Sequence, residues 1–212
     1  MKILVCVKVI KGEINPFDCS ALECALQMSN DVTVITMGHG SNEEVLKPLT
    51  RLGAKVVLIS DNVFAGSDTL ATSYVLSAAI KKMEYDLILC GRQSIDGDTA
   101  QVGPMLSKML GINLITNAVS IETDGLKITA KTRTGKENVF LPALVTLERS
   151  YVLRFPSIFS KQGKVTVLDN SVIGCDVEKC GIKGSPTRVL KTFENERGKR
   201  NCTFITLDEL LL

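Results

Sequence analysis

The sequence predicts an α/β protein with a three-layer, doubly wound and mostly parallel sheet that antiparallel strands extend. Up to Leu110, short apolar runs alternate with helix-like segments, and this alternation is typical of βαβ units in a parallel sheet. After Gly111 three strand-like segments follow one another, with Asp124-Gly125 between the first two. Since Asp-Gly between two strands is a strong hairpin signal, we expect these later strands to be antiparallel.

The individual elements follow from the apolar runs and from residues that favour the ends of helices. Strands are expected at residues 2–9, 31–37, 55–60 and 86–90, and then at 113–122, 126–133 and 139–148. Asn15 and Pro16 begin the first helix, because Asn is a good N-cap and Pro is favoured at the first helical position. Gly53 ends the second helix, residues 67–69 cap the third, and the fourth covers residues 103–110.

Length and composition limit the classes of protein to be considered. With 212 residues, 45% hydrophobic and 23% charged, the chain has the balance of a globular protein. We expect an α/β domain over residues 1–150 and a looser arm over 151–212 that packs on a partner or lies over its own domain. The formal charge of +2 favours neither nucleic acid nor a membrane surface as partner. Because the apolar runs are shorter than a bilayer span or a signal peptide requires, we expect a cytoplasmic protein.

Metal and catalytic sites are not expected. The seven cysteines include no Cys-x-x-Cys pair, and tetrahedral metal sites need four clustered ligands. His39 is the only histidine and stands between two glycines, which favours a turn over a catalytic base. Asp96 and Asp98 flank Gly97, and this spacing suits a turn or ribose contacts better than an acid–base pair.

Polar segments follow the predicted parallel strands at the edge where such sheets bind ligands. Residues 15–18 follow the first strand, residues 37–40 the second, and residues 91–103 the fourth, while residues 66–72 begin the third helix. With the first strand in the middle of the sheet, these segments meet in one crevice. Glycines let backbone N–H groups approach a phosphate, and a helix start favours negative charge. The sequence therefore predicts a nucleotide-sized ligand, although helix capping alone accounts for residues 67–69.

Residues 90–104 read Cys-Gly-Arg-Gln-Ser-Ile-Asp-Gly-Asp-Thr-Ala-Gln-Val-Gly-Pro, which resembles the signature of the β subunit of electron transfer flavoproteins. Further ordered matches to that family lie at residues 3–8, 15–25, 32–38, 52–59, 66–80, 141–147, 154–157 and 181–193. The resemblance implies a Rossmann-like, adenine-nucleotide-hydrolase-like domain over residues 1–150 that binds a nucleotide or flavin. It also implies partner recognition by the extended C-terminal arm, and pairing with a larger α subunit that holds the electron-transferring FAD.

In that family the β subunit binds AMP as a structural ligand, or a second FAD in the electron-bifurcating members. Residues 96–103, and Asp68 and Thr69 with Thr72, resemble the bifurcating form, and AMP is kept as the alternative. The cofactor-binding residues that the resemblance implies are Cys6, Asn15, Asp18, Met37, Gly38, Asp68, Thr69, Thr72, Gly91, Arg92, Gln93, Asp96, Gly97, Asp98, Thr99, Ala100, Gln101, Val102 and Gly103.

The function implied by the resemblance is electron transfer without a catalytic side chain of this chain. NADH gives a hydride to the β-subunit FAD; one electron passes through the α-subunit FAD to an acyl-CoA dehydrogenase, and the other to ferredoxin or flavodoxin. Ile158 stands where the family has an apolar anchor for the dehydrogenase. Two alternatives are a scaffold that binds AMP structurally and a stand-alone α/β domain without redox chemistry. The long C-terminal arm argues against the second of these.

Overall fold

The computed structural model describes residues 1–187. The strands are β1 (Lys2–Cys6), β2 (Val9–Ile10), β3 (Glu13–Ile14), β4 (Asp31–Met37), β5 (Lys55–Ile59), β6 (Leu87–Gly91), β7 (Asn113–Ala118), β8 (Ser120–Thr123), β9 (Lys127–Lys131), β10 (Lys136–Phe140), β11 (Ala143–Leu147) and β12 (Val165–Leu168). The helices are α1 (Pro16–Met28), α2 (Glu43–Thr50), α3 (Thr69–Ile80), α4 (Val102–Leu110) and α5 (Asn170–Ile173). Most boundaries lie within two or three residues of those that the sequence predicts.

The central sheet has seven strands in the order β12-β5-β4-β1-β6-β11-β7. Each neighbouring pair in it is parallel. The first strand therefore lies in the middle, as predicted, and the order reverses on either side of it. This arrangement confirms the predicted doubly wound α/β class, and it places a switch point at the carboxyl ends of β1, β4 and β6.

The later strands depart from the prediction in two respects. The hairpin at Asp124-Gly125 is present, but β8, β9 and β10 form their own three-stranded antiparallel sheet and do not extend the central one. The predicted strand at residues 113–122 divides into β7 and β8, and that at 139–148 into β10 and β11. The turn between β8 and β9 and the turn between β9 and β10 each reverse the chain. As a result, β11 runs in the same direction as β7. The two outer segments can therefore pair in parallel.

Alternate residues of β1 face opposite cores, which is the period-two pattern of a strand buried on both sides. Ile3 and Val5 belong to the core under α1 and α2, together with Leu22 and Leu46. Leu4 and Cys6 face α3 and α4 on the other side. The sheet thus lies between two layers of helices, as the sequence predicts.

Residues 148–164 cross over the layer formed by α1 and α2. The Ser20 hydroxyl donates to the carbonyl oxygen of Glu148 at 2.7 Å, and further along Arg154 pairs with Glu23. The chain then enters the sheet as β12, beside β5. Because the helices run antiparallel to the strands, this path leads from the carboxyl edge of the sheet to its amino edge. The start of the predicted arm thus lies over its own domain, and the boundary at residue 150 stays a prediction.

The remainder of the predicted arm, residues 188–212, lies outside the described residues. In the part that is described, none of the helices combines the length and the apolar character that crossing a membrane requires.

Candidate functional site

Asp18 joins the carboxyl ends of the two central strands. Its carboxylate accepts the N–H of Lys8 at 2.8 Å and that of Gly91 at 3.1 Å, and the residue is only 6% exposed. Burial raises the pKa of Asp18 to about 7, although the hydrogen bonds that it accepts oppose this shift. A carboxylate that bridges two strands in this way fixes the positions of the two strand ends relative to each other. Two backbone N–H groups thus bind the Asp18 carboxylate.

Asn15 holds the loop that follows β6. The sequence predicts an N-cap, and the residue does precede Pro16 at the start of α1. Its side chain, however, crosses to the neighbouring loop: Nδ2 donates to the carbonyl oxygen of Gln93 at 2.9 Å, and Oδ1 accepts the N–H of Ile95 at 3.3 Å. Asn15 is buried, so these two bonds are shielded from water and set the position of the loop.

Residues 94–101, here called the β6–α4 loop, have an unusual backbone. Asp98 and Ala100 have φ values of 52° and 54°, in the left-handed region that non-glycine residues rarely adopt. Thr99 lies exposed between them. Lys8 Nζ contacts both carboxylate oxygens of Asp96, at 2.8 and 2.7 Å, and Gln93 Nε2 donates to Asp98. The predicted ligand loop is therefore well connected to the strand ends.

The start of α3 lies beside the same loop. One oxygen of Asp68 caps the helix by accepting the N–H groups of Leu70 and Ala71 at 2.9 and 3.0 Å. The other oxygen accepts both the N–H and the hydroxyl of Thr187, at 3.1 and 2.8 Å. Helix capping, the alternative stated for residues 67–69, is thus present.

The threonines of α3 occupy different positions. The Thr69 hydroxyl donates to Gln101 Oε1 at 2.8 Å, which ties the helix to the β6–α4 loop. Thr72 is half-buried one turn further along.

A cavity of about 590 Å³ opens at the carboxyl ends of β4 and β5. Its lining residues are Met37, Gly38, His39, Gly40, Ser60, Asp61, Asn62, Phe64, Ala65, Gly66, Ser67 and Asp169. The volume is typical of a cofactor pocket, and it lies at the edge of the sheet that the sequence predicts. Met37 and Gly38 therefore face a space that can hold a ligand. His39 accepts the N–H of Ser41 at 3.2 Å, a turn contact of the predicted kind.

Arg92 is held by a residue that the sequence analysis did not identify. Its Nη1 donates to Glu148 Oε1 at 3.0 Å, and Arg133 Nη2 lies 3.5 Å from the same oxygen. Glu148 follows β11, the neighbour of β6 in the sheet. Two guanidinium groups therefore share one carboxylate, and this end of the site keeps an excess of positive charge. Such an excess suits a phosphate group.

Three predicted site residues pack within the fold. A Cβ atom added to Gly91 would lie 2.3 Å from Asp18 Oδ1, and one added to Gly103 would lie 2.5 Å from Thr146 Cγ2. Both glycines thus allow close packing of helices on strands. Cys6 is a buried free thiol opposite Cys90. No group of three or more His, Cys, Asp or Glu side chains arranged for a metal ion occurs within residues 1–187.

Ile158 is not brought together with these residues. It is 85% exposed, next to Phe159 and three residues beyond the 96% exposed Phe155. Arg51, which follows α2, donates to the carbonyl oxygen of Ser157 at 3.0 Å, so the Ile158 loop lies at the amino edge of the sheet. The predicted partner residue and the predicted nucleotide site are therefore on opposite edges.

A family model described as an electron transfer flavoprotein domain matches residues 3–172. The chain belongs to this family, and its similarity is to the β subunits. The electron transfer flavoprotein subunit beta of Megasphaera elsdenii is 37% identical, with 91% of this chain and 87% of the relative aligned. Protein FixA of Azotobacter vinelandii is 42% identical over 88% and 75% of the two chains. The caffeyl-CoA reductase-Etf complex subunit CarD of Acetobacterium woodii is 37% identical over 85% and 75%. The family that the signature at residues 90–104 predicts is confirmed.

Proposed function

We propose that this β subunit binds FAD at the carboxyl edge of its central sheet and pairs with an electron transfer flavoprotein α subunit. In this proposal NADH is the electron donor, and the acceptors are an acyl-CoA dehydrogenase-type flavoprotein and ferredoxin or flavodoxin. The observation that carries it is the cavity of about 590 Å³ at the carboxyl ends of β4 and β5, since cofactors of open α/β sheets bind outside the carboxyl ends of the strands.

The residues present fit a dinucleotide. Met37 and Gly38 line the cavity and would lie against the adenosine part. Gly91 ends β6, and its N–H is bound to Asp18. The backbone of the segment that follows, at Gln93, would bind phosphate oxygens, and Arg92 brings positive charge to the same place. The start of α3 at Thr69 adjoins the loop through Gln101, where the flavin ring would fit.

When bound, the flavin supplies the redox chemistry, because it accepts a hydride and passes electrons singly. The chain supplies position and charge. The bonds from Asn15 fix the loop, and Asp18 holds the strand ends together. Glu148 orients Arg92. Each of these side chains binds or orients, and the proposal assigns proton transfer to none of them.

AMP as a structural ligand is the second candidate, and one observation favours it. Both oxygens of Asp68 contact the protein itself, through the helix cap and through Thr187. The Thr69 hydroxyl is likewise bound to Gln101. If these groups keep their contacts, they do not bind a flavin ring, and the site then ends at the nucleotide phosphate.

The two candidates differ in the nucleotides that a purified heterodimer contains. The chain is co-expressed with its α subunit, and FAD and AMP are extracted and counted per heterodimer. Two FAD and no AMP support the proposal, and reduction of the flavin by NADH is then the next measurement. One FAD with one AMP supports the structural alternative, and one FAD with no AMP contradicts both.

A matched pair of variants tests the assignment of Arg92. Arg92→Gln is expected to lose the nucleotide of this subunit while the α-subunit FAD is retained. Lys55→Gln serves as the control, because it removes one positive charge at the opposite, amino edge of the sheet. Equal nucleotide content in the two variants would remove Arg92 from the proposed site.

A further inference from the structure

The shape of the β6–α4 loop requires support from the rest of the protein. Asp98 and Ala100 both have positive φ values, and a non-glycine residue is strained in this region because its Cβ crowds the backbone. Two such residues so close together persist only where surrounding contacts hold them.

Four side-chain contacts meet that need. Asn15 accepts the N–H of Ile95, Gln93 contacts Asp98, and Gln101 accepts the Thr69 hydroxyl. The fourth is the pair of contacts between Lys8 Nζ and the carboxylate of Asp96. Among the described contacts of this loop, the contact between Lys8 and Asp96 is the ion pair.

Lys8 is well placed to act as a fixed anchor. Its backbone N–H donates to buried Asp18, and its carbonyl oxygen accepts the N–H of Asn15 at 2.9 Å. The lysine backbone is therefore held at the end of β1, and its side chain reaches a residue 88 positions further along the chain. Partial burial alone would raise the pKa of Asp96, but hydrogen bonds from Lys8 and Ser94 hold it below its ordinary value.

We propose that Lys8 is the positioning residue of the β6–α4 loop, and that its ion pair with Asp96 keeps the loop in the shape that binds the nucleotide. Lys8 acts through Asp96 and not through contact with the ligand. The part of this proposal that concerns the nucleotide rests on the proposed function. The part that concerns the loop stands on the contacts of Lys8 alone.

An exposed ion pair on an already rigid surface contributes little. Here one partner is fixed and the other lies in a strained loop, so removing the pair changes the population of the loop shape and not merely the local charge. Lys55 offers a matched control. It pairs with Asp31 at 2.9 Å, but at the amino end of the sheet, where both partners belong to regular strands.

The experiment uses the heterodimer with the co-expressed α subunit and measures hydrogen exchange of the amides of residues 94–101. Lys8→Met and Asp96→Asn are each expected to speed exchange about twofold to fivefold, the range that an exposed ion pair supports. The double variant is expected to equal either single one, and Lys8→Arg to restore slow exchange. Lys55→Met is expected to leave these amides unchanged. Unchanged exchange in Lys8→Met, or additive effects in the double variant, would overturn the proposal.

Nucleotide content is the second measurement. The proposal is supported if the wild-type heterodimer retains nucleotide in this subunit on dilution and the Lys8→Met variant loses it more readily. Equal retention in both contradicts the role of Lys8 in nucleotide binding. A wild type without nucleotide in this subunit contradicts the proposed function instead, and hydrogen exchange still decides whether Lys8 positions the loop.

Discussion

Arg154 and Glu23 form the most extensive side-chain contact between the crossing segment and α1. Arg154 Nε lies 3.1 and 3.0 Å from the two Glu23 oxygens, and Nη2 lies 2.7 Å from Oε1. The Arg154 N–H donates to the same carboxylate at 3.1 Å. The Glu23 side chain is 6% exposed and that of Arg154 is 47% exposed, so a buried acid is neutralised by an arginine that reaches it from the surface.

Removing the arginine is expected to destabilise the protein. Arg154→Met leaves the Glu23 carboxylate buried without its partner, and we expect a loss of about 1–3 kcal/mol in the free energy of unfolding, less than a fully buried pair would lose. Chemical denaturation with an unchanged m-value measures it. The double variant Glu23→Leu/Arg154→Met is expected to lose less, because no charge is then left buried. A double variant that loses more than Arg154→Met would contradict this account, and Lys55→Met serves as an exposed control.

The buried Asp18 makes stability depend on pH in a defined direction. Its folded-state pKa of about 7 lies above the ordinary value of 3.8, so between these values the folded state holds more protons than the unfolded state. The contribution of Asp18 to stability is therefore greatest at low pH, falls as the pH rises towards 7, and is constant above it. Denaturation of the wild type and of Asp18→Asn, from pH 4.5 to 8, should show the stability difference between them shrinking over this window.

At neutral pH the same Asp18→Asn variant tests the bridge itself. An amide can accept at only one of its two terminal atoms, so the N–H of Lys8 or of Gly91 loses its acceptor. We expect a loss of about 1–3 kcal/mol. Stability equal to that of the wild type at pH 7.5 would show that the two bonds do not join the strand ends as described.

Two glycines of the candidate site offer a matched comparison. A Cβ atom at Gly91 would lie 2.7 Å from the carbonyl carbon of Phe17, besides its clash with Asp18, whereas at Gly97 the nearest atom would be Ser94 Oγ at 3.5 Å. Gly91→Ala is therefore expected to destabilise by about 1–3 kcal/mol, as overpacking does. Gly97→Ala is expected to change stability by less than about 0.5 kcal/mol. Thermal unfolding measures both, and equal values would contradict the packing argument.

Ile158 tests the proposed docking of the dehydrogenase. Because its side chain is almost fully exposed, Ile158→Ser should leave stability and nucleotide content unchanged. If it anchors the partner, the KM for the acyl-CoA dehydrogenase should rise about fivefold or more, as at an interface hot spot. Leu126→Ser is the control, since Leu126 is 73% exposed in the turn between β8 and β9. A similar KM in both variants would exclude Ile158 as the anchor.

The sequence predicts well those features that depend on neighbouring residues. Pro16 begins α1, and the cap of α3, Asp68, lies within the predicted residues 67–69. The apolar run at residues 2–9 predicts a strand, and β1 is indeed buried over most of its length. A polar, glycine-containing turn after β6 predicts the candidate ligand loop, and its role in binding stays a prediction.

Contacts between residues that are far apart in the sequence leave no local pattern from which they can be predicted. Asn15 is a good N-cap by local preference, yet its amide binds Gln93, which lies 78 residues further on. Lys8 and Glu148 look like ordinary charged residues until the sheet brings them to Asp96 and Arg92. The separate antiparallel sheet was missed for the same reason, since a hairpin signal defines a turn but not the sheet that its strands join.

The pairing of β12 with β5 has a consequence for aggregation. Without β12, the N–H and C=O groups on one side of β5 would be unpaired, and such an edge is a template for pairing with another chain. The strand that covers it directly follows the crossing segment over α1 and α2 along the chain. A chain in which that packing has failed would therefore expose an apolar strand edge, and correct docking of the segment guards the protein against self-association.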